Sequence, residues 1–173
     1  DDIRDFEIEG LSIGESALNF FKESELQKNI RQNQYQGSDG KFYDTQVRKY
    51  NFDIYDEITL VFKKGDKNYE IYSIGGIIFY GKRTKKCISD YKKILKDIEN
   101  IFPNHTKDIW KNQKHHQDQS GKSLVNGALI TLKSGATVEV ACYSWSDEMN
   151  FEDYVLVGIN SKEFENWLKN YYN

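Results

Sequence analysis

Three histidines, His105, His115 and His116, fall in one polar stretch with Asp118 and are the residues in the chain best suited to metal or acid–base chemistry. Neighbouring side chains at 115 and 116 point apart on a strand and about 100° apart on a helix, so they rarely hold one ion together. No H-E-x-x-H and no paired C-x-x-C accompanies them. The stretch therefore reads as a surface loop that carries histidine. Gly121-Lys122-Ser123 has the ending of a phosphate-cradling loop, but His116 stands where that loop needs glycine, and no strand precedes it. Cys142 lies beside Tyr143, Ser144, Trp145 and Ser146; a nucleophilic cysteine needs a base and a lowered pKa, which a half-buried strand position does not supply. Neither serine sits in G-x-S-x-G.

Two further groups could bind rather than react. Lys82, Arg83, Lys85 and Lys86 crowd the expected start of a helix, where the macrodipole is already positive; an anion would relieve that, and so would pairing with Asp147, Glu148, Glu152 and Asp153. Tyr35, Phe42, Tyr43, Tyr50, Trp110 and Trp145 fall in expected loops. Tyr35, Tyr43, Trp110 and Trp145 are candidates for a ligand or partner surface, because such rings bury area at low entropic cost. The same rings could instead pin loops to the core. Asn104-His105-Thr106 matches the N-x-T glycosylation pattern, relevant only in a eukaryotic source. Cys87 and Cys142 could form a disulfide closing a long loop, worth roughly 4 kcal/mol by the chain-entropy argument. Two small buried hydrophobes that never meet remain the other possibility.

The elements that must position these residues follow from apolar spacing. Phe6-Glu7-Ile8 reads as a short strand, Ser12 with Glu15 as a capping box opening a helix that carries Ala17, Leu18, Phe20 and Phe21, and Ser24 with Gln27 as a restart. Residues 31–51, with Gly37-Ser38-Asp39-Gly40, read as a long loop, and so do 104–123. Between them Ile58, Leu60 and Phe62 alternate with Glu57, Thr59 and Val61. Lys64-Gly65-Asp66-Lys67 turns the chain into a return strand over 69–80, with Gly75-Gly76 marking a bulge or bend. Ile88, Tyr91, Ile94, Leu95, Ile98, Ile101 and Phe102 make a helical stripe over 84–102, stopped by Pro103. Strands at 124–132, 137–143 and 154–159 precede a last helix whose stripe is Phe164, Trp167, Leu168 and Tyr171. The expected fold is α+β: an antiparallel sheet of about five to six strands with two to three helices packed mainly on one face. The 173 residues suit one domain, and 54–102 and 124–171 could be a decayed β-β-α duplication.

Composition narrows the class. Aromatics make up 14% of the chain and apolar residues 38%, which argues for an aromatic-built core and against disorder. With 24 basic and 27 acidic residues the net charge is −3, giving no global attraction to nucleic acid or anionic membrane. No apolar run reaches the roughly 18 residues of a membrane span, and no cofactor motif is present. Twenty of the basic residues are Lys and only four Arg, with frequent Asn, Ile, Tyr and Phe, a bias shared by AT-rich codons. The chain begins Asp1-Asp2-Ile3 without Met, as after removal of a signal peptide or after trimming of a longer chain.

The opening Phe6-Glu7-Ile8-Glu9-Gly10-Leu11-Ser12-Ile13-Gly14-Glu15-Ser16-Ala17-Leu18 resembles the start of small uncharacterised exported proteins of AT-rich marine alphaproteobacteria, and Ala141-Cys142-Tyr143-Ser144-Trp145-Ser146 is similar to a later segment of the same group. The resemblance implies a periplasmic location and brings no activity. The expectation is an exported, non-enzymatic, periplasmic or secreted domain binding a protein or small ligand through loops and sheet face. One alternative is a small hydrolase with its site assembled from His105, His115, Asp118 and Cys142. Another is an acidic cytoplasmic immunity or regulatory protein.

Overall fold

The computed structural model describes residues 2–31, 35, 38–48 and 51–172; Asp1, Gly37 and Tyr50 lie outside them. Seven antiparallel strands form one sheet: β1 (Phe42–Arg48), β2 (Glu57–Lys63), β3 (Ser73–Gly81), β4 (His105–Lys114), β5 (Leu124–Leu132), β6 (Thr137–Ser144) and β7 (Asp153–Asn160), in the spatial order β1-β2-β3-β7-β6-β5-β4. Three α-helices accompany it among the described residues: α1 (Glu23–Lys28), α2 (Thr84–Ile101) and α3 (Lys162–Tyr172). The class is the expected α+β with an antiparallel sheet, but the strands number seven rather than five to six.

Both additional strands come from the supposed polar loops. β1 and β4 are the two edges of the ladder; β1 is also covered on its outer side by the segment at Ile30, through the bridge Ile30↔Thr45 and the backbone bonds from the Gln46 amide to Asn29 and from the Arg31 amide to Asp44. β4 is exposed along nearly its whole length, so no apolar alternation betrays it. Its ladder to β5 runs from His105↔Leu132 to Lys114↔Leu124 with a bulge between Trp110 and Gln113, where Asn112 has φ +49°. That bulge and Lys107, Lys111 and Lys114 suit an edge that must not pair with another chain.

The start of the chain also differs. Instead of a strand and a capped helix, residues 3–21 make 3-10 turns at Ile3–Asp5 and Ala17–Asn19 and an isolated bridge, Ile8↔Leu11. The Gly14 and Ala17 amides donate to the carbonyls of Ile71 and Tyr69, and the Ile71 amide to Glu15. Extended pairing with 69–71 thus takes up the backbone groups that a local helix would have used. α1 starts at Glu23, close to the expected restart at Ser24, with Glu25 accepting from the Lys22 amide.

Register assigns the two faces. Ile58, Leu60, Ile74, Val155, Val157, Ile159, Val138, Val140, Cys142, Ala128 and Ile130 form one apolar face, covered by the N-terminal segment and by α2 through Cys87, Tyr91, Leu95 and Ile98. A disulfide joins Cys87 to Cys142, tying α2 to β6. α3 lies on the opposite face: Phe164 and Trp167 pack on Phe42 and Val61, and Glu165 accepts from Thr137 Oγ1. Ser161, the residue before α3, accepts from the Phe164 amide, which caps it.

Gly75-Gly76 makes no bulge. The β2–β3 ladder passes Thr59↔Gly75 and Ile58↔Gly76 without a shift, and the β3–β7 irregularity falls between Phe79 and Gly81. The glycines serve close packing instead: a Cβ at Gly76 would lie 2.5 Å from the Tyr55 ring, and one at Gly127 2.6 Å from the Ala141 Cβ. At Gly158 it would meet only the Glu139 Cβ, at 3.9 Å. Gly127→Ala is therefore expected to destabilise by roughly 1–3 kcal/mol through overpacking, and Gly158→Ala to be neutral or slightly stabilising. Urea unfolding of the two variants distinguishes them.

Candidate functional site

The sheet face that α2 does not cover holds the groups with the most chemistry. Across it Arg48↔Glu57, Glu57↔Ile77, Ile77↔Leu156, Leu156↔Ala141, Ala141↔Gly127 and Gly127↔Trp110 form one row. The next row toward α3 runs Gln46, Thr59, Gly75, Gly158, Glu139 and Leu129. Gly75 and Gly158 in the middle of the second row, and Ala141 and Gly127 beside them in the first, keep the floor low there.

One end of this face is capped by rings. Tyr143 and Tyr154 stack at 4.8 Å across β6 and β7, and Phe79 meets Tyr154 edge-on. Above them Trp145 lies 4.5 Å from His115 and 5.0 Å from Phe151, and His115 stacks on His116 at 4.8 Å. Asp118 holds this cap together. Its Oδ2 accepts from the Ser123 amide, the Ser123 hydroxyl and the Ser146 hydroxyl, and its Oδ1 from the Ser120 amide at 2.9 Å. The Ser123 hydroxyl in turn accepts from the Ser146 amide. Hydrogen bonds from Ser123, Ser120 and Ser146 hold the Asp118 carboxyl well below the usual range. Asp153 adds a second clamp, accepting from the Trp145 amide and from Thr84 Oγ1.

Two cavities open beside the cap on the same face. One, of about 450 Å³, is lined by Arg31, Gln46, Arg48, Glu57, Phe79 and Trp145 among others; a second, of about 330 Å³, lies between Trp110, His115, Glu139 and Tyr143. Their charged groups are largely satisfied from within. Arg31 pairs with the fully buried Asp44, and Glu57 accepts from both Gln46 and Arg48. Tyr143 donates to Glu139 at 3.1 Å. Burial, with the nearby Glu165 carboxylate, pushes the Glu139 carboxyl upward against that hydrogen bond. Burial and the adjacent His116 push His115 downward. Both shifts favour the neutral form.

The candidates named from sequence separate accordingly. Trp110 and Trp145 line the two cavities. Tyr35 packs against Trp167 of α3 at 5.1 Å, and Tyr43 lies on the other sheet face, 5.8 Å from Phe62, its hydroxyl pushed up to about 12 by burial. His105 sits at the far end of β4 beside the Phe102 carbonyl, Cys142 is in the disulfide and Asp118 is enclosed by serines, so the four parts of the hydrolase alternative are not brought together. In the basic cluster Lys82 reaches the Trp145 carbonyl and Asp147, Arg83 folds back on the Tyr80 carbonyl, Lys86 pairs with Asp90 and Lys85 is exposed. Among the described residues no cluster of His, Cys, Asp and Glu could hold a metal, and no helix is long and apolar enough to cross a membrane. Arg31, Asp44, Gln46, Arg48 and Glu57 escaped the sequence reading; the signal available was the polar alternation Asp44, Gln46, Arg48 against Tyr43, Thr45, Val47. No family model, curated protein or solved structure matches the chain.

Proposed function

We propose that the chain is an exported, non-enzymatic binding module that takes a small ligand in the groove of its open sheet face. The observation that carries this is the pair of cavities, walled by aromatic rings and by fixed donors and acceptors and set on either side of the Tyr143–Tyr154 stack, on the face left open between the aromatic cap and α3. Such concave sites with a few convergent polar groups are the usual seats of small ligands. The disulfide supports export, since these bonds persist in oxidising compartments.

The test is calorimetry of the full chain against sugars, amino acids, nucleotides and short peptides, with two groove-filling variants. Gly158→Phe projects a ring beside Glu139, and Ile77→Arg plugs the larger cavity; near-UV circular dichroism checks that each folds. At least one ligand class is expected to bind the wild type and to lose about tenfold or more in affinity, near 1.4 kcal/mol, in a folded variant. Binding of no class, or binding that both folded variants leave unchanged, would refute the proposal.

A further inference from the structure

We infer that the ligand of this groove is an elongated, uncharged oligosaccharide lying across the strands from β3 to β5; the inference rests on the binding-module reading and names its substrate class. Three features of the groove point there together.

The first is charge. A site for an ionic ligand keeps an enclosed charge waiting for it, whereas here the enclosed ions answer one another, Asp44 with Arg31 and Glu57 with Arg48, and the other charged residues of the lining, Glu152 and Lys114, are exposed to solvent. Glu139 already receives the Tyr143 hydroxyl and lies in surroundings that disfavour its ionised form. An ion that sought an enclosed counter-charge would have to break one of these pairs, which is costly where one partner is as buried as Asp44 or Glu57, and one that met Lys114 or Glu152 would gain little from a solvated, exposed charge.

The second is the alternation of rings with bidentate polar groups. Sugar hydroxyls both donate and accept, and they suit side chains that present the two functions in fixed geometry, as Gln46, Glu57 and Arg48 do in the larger cavity and Tyr143 with Glu139 in the smaller. The C–H faces of a sugar ring are apolar and pack on aromatic walls, here Trp110 and Tyr143 on one side and Phe79, Trp145 and Tyr154 on the other.

The third is length. Ile77 on β3 lines one cavity and Val125 on β5 the other, with β7 and β6 between them. Three strand spacings separate them by roughly 14 Å, more than one sugar ring fills.

The experiment is calorimetry of the full chain with neutral tetra- to hexasaccharides (glucans, xylans, mannans), with uronic-acid and amino-sugar oligomers of equal length, and with the monosaccharides. A neutral oligomer is expected to bind at least about tenfold more tightly than its charged counterparts and its own monosaccharide. Trp110→Ala, on an exposed edge strand, is expected to weaken it by a similar factor. A charged oligomer binding as tightly, a monosaccharide binding as tightly, or indifference to Trp110→Ala in a folded variant would each overturn the inference. If no saccharide binds while another ligand class binds and Gly158→Phe or Ile77→Arg blocks it, the saccharide inference fails and the binding-module reading stands. If nothing binds, both fail.

Discussion

Replacing Cys87 and Cys142 together by alanine is expected to lower the unfolding free energy by about 4 kcal/mol, which for a chain of this size corresponds to a melting temperature roughly 8–16 °C lower. The bond joins residues 55 apart and fixes the N-terminal turns of α2 to the middle of β6, on the fully buried side of the sheet. The enclosed loop contains the rest of α2 and all of β4 and β5. Reduction frees this segment in the unfolded chain and leaves the folded contacts in place, so the loss acts through the unfolded ensemble. Both sulfurs lie in a core where Val140, Val155 and Tyr91 already pack, so the double variant is expected to fold. Urea unfolding with and without dithiothreitol separates bond from packing. The reductant should destabilise the wild type by nearly the full amount and leave the double variant untouched. A wild type that ignores complete reduction would show that the cross-link contributes no stability.

The elements legible in the sequence are those whose apolar period is set by a covered face. Tyr91, Ile94, Leu95 and Ile98 face the sheet in α2, and Ile58, Leu60 and Phe62 face the core in β2, so burial wrote the spacing that reveals them. β4 obeys a different constraint. As an edge strand exposed on both faces, it is held by backbone bonds to β5, which any side chain permits, and HTKDIWKNQK carries no period. The N-terminal segment misleads in the opposite direction. Ile13, Ala17 and Phe21 recur at helical spacing and are all buried, yet they reach the core from turns and extended backbone paired with 69–71. Of the expected stripe Ala17, Leu18, Phe20 and Phe21, only Ala17 and Phe21 are buried while Leu18 and Phe20 are exposed, because tertiary hydrogen bonds outcompeted the local cap and turned the segment off its helical path.

The same division explains what could be seen of the groove. Trp110 and Trp145 stood out as large rings in polar surroundings. Asp118 drew notice as a titratable group beside histidines, and the structure gives it a positioning role: it joins the turns after β4 and β6, so that His115 and Trp145 meet. Arg31, Gln46 and Glu57 gain meaning only from register, since Gln46 lies beside Glu57 solely because β1 pairs with β2 as Arg48↔Glu57 and Gln46↔Thr59. A binding surface composed across strands is written in pairings, which no single segment contains.

Arg31→Met is expected to cost about 2 kcal/mol at pH 7 and much less near pH 4.5. Removing one partner of a fully buried pair costs roughly 3–5 kcal/mol because the remaining charge is stranded; Arg31 keeps 34% of its side chain exposed, so water screens part of that penalty. Its partner Asp44 is fully buried, and burial already pushes its carboxyl above the usual value while the Arg31 hydrogen bonds and charge pull it back. Without Arg31 the folded-state pKa rises further. For an acid whose folded pKa exceeds its unfolded value, the penalty is fully present above the folded pKa and disappears as pH falls to the unfolded one, near 3.9. Acidification therefore protonates Asp44 in the variant and removes its handicap, so the wild-type and variant stabilities converge toward pH 4 even as both fall. The difference between their urea-unfolding free energies at the two pH values is the measurement. Adding Asp44→Asn to Arg31→Met should recover part of the loss at pH 7 and abolish its pH dependence, since the amide carries no charge to strand. A loss that stays constant from pH 7 to pH 4.5 would assign the effect to packing of the arginine stem and remove the buried carboxylate from the account.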